Sequence, residues 1–339
     1  MKSTNARGKL LAVLAVAGAS LAVSNAAQAV AFQTGDVFAA IGSGMVQHYD
    51  DSGNLLETLN TTQGGFTTGM AFDGAGNLYV TNFSANSVSK FNNSGGLIDA
   101  DFLGAASGSG LSTPESIVFD NAGNFFVGNI GNGIRKYNAA GVFQGSVNNT
   151  RVDWFDLTED QATFYYGTES NDVKTVSNDI PGVSGADFVA DGGASEAYAM
   201  RILADGGLLL ADGENVKRFD STGSLVRSYD NYSDGGIGCT LTSGGWFSLN
   251  LDPDGTSFWS GSFTDGCFYK IDIDDGDQLL AVNTGVGPSL FFGLTVFGEI
   301  TAGGPPPEPP SSGVPEPASL LMLILGLAGL GCARRRHLA

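Results

Sequence analysis

The sequence predicts an all-β fold, a six-bladed β-propeller, from three observations. Glycine-centred turns recur at Gly76, Gly123, Gly207 and Gly255, which lie 47, 84 and 48 residues apart, the middle interval holding two units. Each unit reads as four short strands, and incomplete units stand at both ends of the repeat. A period in the forties with several strands per unit marks a sheet repeated radially.

Residues 1–29 come first and read as a signal peptide. Lys2, Arg7 and Lys9 precede an apolar stretch from Leu10 to Val23, and Ala27-Gln28-Ala29 supplies a small-x-small site with cleavage expected before Val30. The implied partner is the Sec export machinery. The alternative is a retained anchor, for which the apolar stretch is short.

The propeller is expected over 30–299. Its opening segment, GDVFAAIGSGMVQHYDDSGNLLETL from Gly35, supplies a second, third and fourth strand but no first. Full units begin at Gly69, Ser116 and Ala199, and degenerate ones at Asp153 and Phe247. First strands end in an apolar-Asp pair (Phe72-Asp73, Phe119-Asp120, Leu251-Asp252), which suits a tight turn because Asp accepts from the backbone two residues on. Second strands are compact apolar runs such as Leu78-Tyr79-Val80 and Phe125-Phe126-Val127, as a strand buried on both faces requires. Third strands alternate apolar with basic or polar residues, as in Val88-Ser89-Lys90-Phe91 and Val216-Lys217-Arg218-Phe219. A lone strand, Leu290 to Phe297, ends the repeat. If it pairs into the opening unit, the first blade is closed by the C-terminal strand and no sheet edge stays free.

Residues 300–313, rich in Pro and Gly, are expected to form an extended spacer, since Pro cannot donate to a ladder. In 314–339, residues 318–333 carry no charge and form the expected transmembrane segment, short against the ~20 residues a bilayer core needs. Arg334, Arg335 and Arg336 follow and would stay cytoplasmic.

The chain has 16 basic and 35 acidic residues and a net charge of −19; without the six basic residues of the two ends and Glu316, 10 basic and 34 acidic residues remain. Such a body repels nucleic acid and anionic lipid. Cys239 and Cys267 are a candidate disulfide in an exported chain, the alternative being two buried thiols. His48, in the strand MVQHYD, reads as a half-buried strand residue without a role, and with one body histidine a zinc site is excluded by count. Asp272, Asp274, Asp275 and Asp277 gather carboxylates around a turn, either as Ca2+ ligands or as a solvated turn; no other cofactor is indicated.

Val314-Pro315-Glu316-Pro317, the apolar run and the arginines, in that order, resemble the PEP-CTERM sorting signal. The resemblance implies an exosortase substrate: a transient inner-membrane anchor in a Gram-negative bacterium, then release to the cell surface or an exopolysaccharide matrix. The repeat phrases Phe72-Asp73-Gly74-Ala75-Gly76-Asn77-Leu78-Tyr79-Val80 and Phe119 to Val127 resemble NHL-type and SMP-30/gluconolactonase-like propellers. The latter hold a divalent metal in the channel with Glu, Asn and Asp. Glu115 and Glu196 precede first strands and are candidate channel residues, but the equivalent places elsewhere read Thr68-Gly69-Met70, Asp153-Trp154 and Gly245-Trp246. Trp154, Tyr198, Trp246 and Phe292 either line one ring face, suiting sugar stacking, or pack in the core. The expected function is a non-enzymatic binding or structural module; the alternative is a metal-dependent hydrolase of the lactonase type.

Overall fold

A computed structural model describes residues 30–104, 107–230, 238–239 and 244–300. The expected signal peptide with Ala27 and Ala29, the expected spacer beyond Ile300, and the sorting tail with its expected membrane segment lie outside the described residues. No helix among the described residues is long and apolar enough to cross a membrane.

All the named elements of the described residues are strands, arranged as six antiparallel sheets. Blade one holds β1 (Val37–Ile41), β2 (Met45–Tyr49) and β3 (Leu55–Asn60). Blade two runs through β4 (Thr67–Phe72), β5 (Leu78–Asn82), β6 (Ser87–Phe91) and β7 (Leu97–Leu103), and blade three through β8 (Pro114–Phe119), β9 (Phe125–Asn129), β10 (Gly133–Tyr137) and β11 (Phe143–Ser146). Blade four has β12 (Phe155–Leu157), β13 (Thr163–Tyr166) and β14 (Lys174–Ser177); blade five has β15 (Met200–Ile202), β16 (Leu208–Ala211), β17 (Val216–Phe219) and β18 (Leu225–Tyr229). Blade six has β19 (Trp246–Leu251), β20 (Ser257–Ser262), β21 (Cys267–Asp272) and β22 (Gln278–Asn283), and β23 (Phe291–Val296) returns to pair with β1, closing the first blade as the sequence predicts.

The inner strands β23, β4, β8, β12, β15 and β19 touch in that order around the ring. Two glycines permit the approach: a Cβ on Gly69 would lie 2.5 Å from the Glu115 carbonyl oxygen, and one on Gly293 would overlap that of Thr68.

The core is divided into six clusters, one between each pair of neighbouring blades. Strand alternation explains the division. On β1, Phe38 and Ala40 pack towards blade two, whereas Val37, Ala39 and Ile41 pack towards blade six. Second strands are therefore buried on both faces, while outer strands such as β3 and β18 are largely exposed. The aspartates that end first strands pair with third-strand lysines: Asp73 with Lys90 at 3.4 Å, Asp120 with Lys136 at 3.6 Å and Asp252 with Lys270 at 2.8 Å. Each also caps its turn, as Asp73 does by accepting from the Ala75 and Asn77 amides.

Blade four departs from the four-strand expectation. Its outer position is taken by residues 183–189, which form no named strand and pair with β14 and its neighbour through the isolated bridges Val176 to Ser184 and Val173 to Val189. Pro181 and Gly182 lead into this stretch, and a proline supplies no ladder donor. His48 corrects a second expectation. It is fully buried and engaged at both nitrogens, with Nε2 2.8 Å from Asp36 Oδ2 and Nδ1 3.2 Å from Glu57 Oε1, and it stacks on Phe38. A buried imidazole needs such partners, so it joins the N-terminal segment to the closing blade. Cys239 and Cys267 are disulfide-bonded, their Cα atoms 6.0 Å apart, which ties the link between blades five and six to β21.

Candidate functional site

Every inner strand carries a β-bulge at the same level, close to its start. In β4 two residues, Thr68 and Gly69, lie between the pairs Thr67 to Asn82 and Met70 to Val80. Registers shift likewise at Glu115 in β8, Phe247 in β19 and Phe292 in β23. Just before β12, the Asp153 amide donates to the Gly167 carbonyl at 3.1 Å and the Gly167 amide to that of Trp154 at 2.9 Å. Tyr198 and Ala199 oppose Ala211 in the same way before β15. A bulge frees one residue from the ladder and re-aims its side chain. Six such residues ring one mouth of the channel: Thr68, Glu115, Asp153, Tyr198, Phe247 and Phe292.

One arc of the mouth is acidic. An oxygen from each of Glu115, Asp153 and Glu169 lies within 4.8 Å of the others, the one convergent group of three or more potential metal ligands among the described residues. Glu115 and Asp153 are buried; Glu169 is exposed. The Arg151 guanidinium bonds both Asp153 oxygens, with Nε 2.7 Å from Oδ2, and also contacts Glu169. Burial, then the Asp153 charge, push the Glu115 carboxyl well above the usual carboxylate range. Burial followed by Asp153 also raises Glu169. Glu115 Oε2 has no hydrogen-bond partner, nor has the buried Trp154 Nε1.

The other arc is aromatic. Phe247 packs against Trp154 at 5.7 Å, Tyr198 at 4.8 Å, Phe263 at 5.8 Å and Phe292 at 6.3 Å, and Phe292 continues to Phe66 at 4.5 Å. Tyr198 joins the arcs, its ring on Phe247 and its hydroxyl donating to Glu196 Oε2 at 2.9 Å. Burial and then Glu196 raise the Tyr198 pKa, so the phenol stays a donor.

The sequence-derived candidates divide accordingly. Glu115 occupies a bulge and belongs to the convergent carboxylates; Glu196 sits on the exposed rim two residues before the bulge. Trp246 packs on Tyr269 inside blade six, and its neighbour Phe247 takes the mouth position. Asp272, Asp274, Asp275 and Asp277 do not converge on a common point. Asp272 accepts from the Asp274 and Asp275 amides, Asp275 from the Asp277 amide, and Asp274 from Arg218. Arg151, Glu169, Phe247, Phe263 and Phe66 were not signalled as site residues by the sequence.

The far end of the channel is chemically different. Glu299, buried beyond β23, accepts from Arg201 Nε at 2.7 Å, the Leu251 amide at 2.7 Å and Asn250 Nδ2 at 2.8 Å. A cavity of about 1190 Å³ opens on that face, lined by Tyr165, Ile202, Leu203, Leu251, Ile273 and Ile300 among others. Glu159, Asp160 and Asp252 also line it but do not converge as Glu115, Asp153 and Glu169 do, so the opposite mouth holds the candidate chemistry.

Residues 313–336 match the PEP-CTERM protein-sorting motif, which implies an exosortase-directed export precursor. No curated protein matches the chain. Solved propellers resemble it in fold: one chain of a nidogen/laminin complex at TM-score 0.58 and 12% identity, over 77% of this chain and 98% of that one. A gluconolactonase from Xanthomonas campestris is similar at TM-score 0.54 and 13% identity, over 68% and 84% of the two chains. The WD40 propeller of Doa1 gives 0.55 and 15%, over 76% and 81%. At these identities the likeness establishes the propeller alone.

Proposed function

We propose that this chain, an exosortase-sorted propeller, is a non-enzymatic module that binds a saccharide of the cell surface or exopolysaccharide matrix at the bulge-lined mouth. The observation that carries this reading is the joining of the two arcs through Tyr198. Aromatic rings offer stacking faces for a sugar ring, and the carboxylates and Arg151 beside them offer acceptors and donors for hydroxyls. Retention of the mature protein on the producing organism's own polysaccharide tests it. Retention weakened by Phe247→Ala supports the reading, and no retention, with or without calcium, sinks it.

A second reading, a metal-dependent hydrolase, is favoured by the convergence of Glu115, Asp153 and Glu169. Arg151 argues against it, because its guanidinium already occupies the faces of two of the three carboxylates that a metal would need as ligands. Stoichiometric metal in the purified protein, together with turnover of a lactone or ester, would establish the second reading over the first.

A further inference from the structure

The mouth is specific about charge as well as shape. Glu115, Asp153, Glu169 and Glu196 gather on one arc, and Arg151 is the cation the structure sets among them. Glu115 is 3% exposed and its Oε2 is unpartnered, and Trp154, 4% exposed, leaves its Nε1 unpartnered one residue from Asp153. Leaving buried polar atoms unpaired costs free energy; a ligand N–H or O–H donated to Glu115 Oε2, and a ligand oxygen accepting from Trp154 Nε1, would recover it. The opposite wall is aromatic, with Tyr198 and Phe292 only partly buried against Phe247. Carboxylates facing aromatic rings form a receptor for an ammonium group, which gains from the ring quadrupoles and the acidic charge together.

Resting on the saccharide reading above, we propose that the ligand is an amino sugar with a free, protonated amine, its ammonium paired with the Glu196 carboxylate and donating to Glu115 Oε2, and its ring stacked on Tyr198 and Phe292, which Phe247 supports. A neutral N-acetylated sugar would stack but leave the acidic arc unmatched.

The test compares binding of the mature protein to a glucosamine hexamer and to an N-acetylglucosamine hexamer by calorimetry at mildly acidic pH, where the amine is protonated. The amine form is expected to bind about tenfold tighter, with a preference that shrinks as salt is added. The rim substitution Glu196→Gln, at an exposed position where folding is not at stake, should reduce that preference, whereas Phe247→Ala should weaken both ligands. Equal affinity for the two hexamers, or preference for the acetylated one, overturns the charge assignment and leaves the saccharide reading standing. Retention on the native polysaccharide without binding of either hexamer does the same. Failure of both hexamers and of retention removes both proposals. A lysine hexapeptide binding as tightly as the glucosamine hexamer, or stoichiometric Ca2+ binding abolished by Glu115→Gln, overturns the amino-sugar assignment in favour of a peptide or a metal.

Discussion

Replacing Arg201 by Met removes the cation from the network that seals the far end of the channel. Arg201 is buried, donates from Nε and Nη2 to the two Glu299 oxygens at 2.7 and 3.3 Å, and from Nη1 to the Met200 carbonyl at 2.8 Å. Glu299 also receives Asn250 and the Leu251 amide, and fully buried Asp156 feels both charges. Methionine fills much the same space, so the lost packing is small. The dominant cost is the carboxylate left buried without its partner, about 3–5 kcal/mol. At roughly 2–4 °C per kcal/mol for a large domain, the melting temperature should fall by ~6–20 °C. Far-ultraviolet circular dichroism during heating, with urea unfolding as a check, measures it. Adding Glu299→Gln removes the stranded charge while keeping an acceptor for the Leu251 amide, and should recover about 1–3 kcal/mol. A single variant within ~1 kcal/mol of the parent, or a double variant no better than the sum of its parts, would refute the account.

Stability should also fall as pH rises from about 4 to 6, by up to ~3 kcal/mol, because burial lifts the Asp156 carboxyl to about 6 and the folded state then holds a proton the unfolded chain releases. Glu115 acts in the same direction, whereas Asp50, Asp160 and Asp220, lowered chiefly by side-chain hydrogen bonds, give up their contribution only at lower pH. Melting temperatures at pH 5 and 7.5 check this, and a difference unchanged in Asp156→Asn would discredit the attribution. Gly293→Ala should destabilise by about 1–3 kcal/mol or more, since its Cβ would force β23 from β4; Gly74→Ala, with no neighbour within 4 Å, should stay within ~0.5 kcal/mol. Chemical denaturation of the pair decides it, and equal effects would deny the close approach of the inner strands.

Much of the ring was legible because each blade repeats the same local chemistry. The aspartates after Phe72, Phe119 and Leu251 mark strand ends through a turn that Asp caps, and those turns gave the frame. The same frame locates the mouth once the bulges are known. Thr68, Glu115 and Phe247 stand five residues before those aspartates, and Asp153, Tyr198 and Phe292 stand five before Thr158, Leu203 and Phe297. The blade-six candidate Trp246 fell one residue short of the mouth because a bulge adds a residue that alternation cannot show.

The sequence by itself determined the repeat, the closure of the first blade by the last strand, and the C-terminal sorting motif, since each depends on local pattern and order along the chain. Only the tertiary structure decided that Arg151, Asp153 and Glu169 meet Glu115 across two blades, and that Phe247 rather than Trp246 faces the opening. The physical reason is the ring itself. It brings the starts of six inner strands, separated by tens of residues, to one mouth, and their meeting depends on how the blades close.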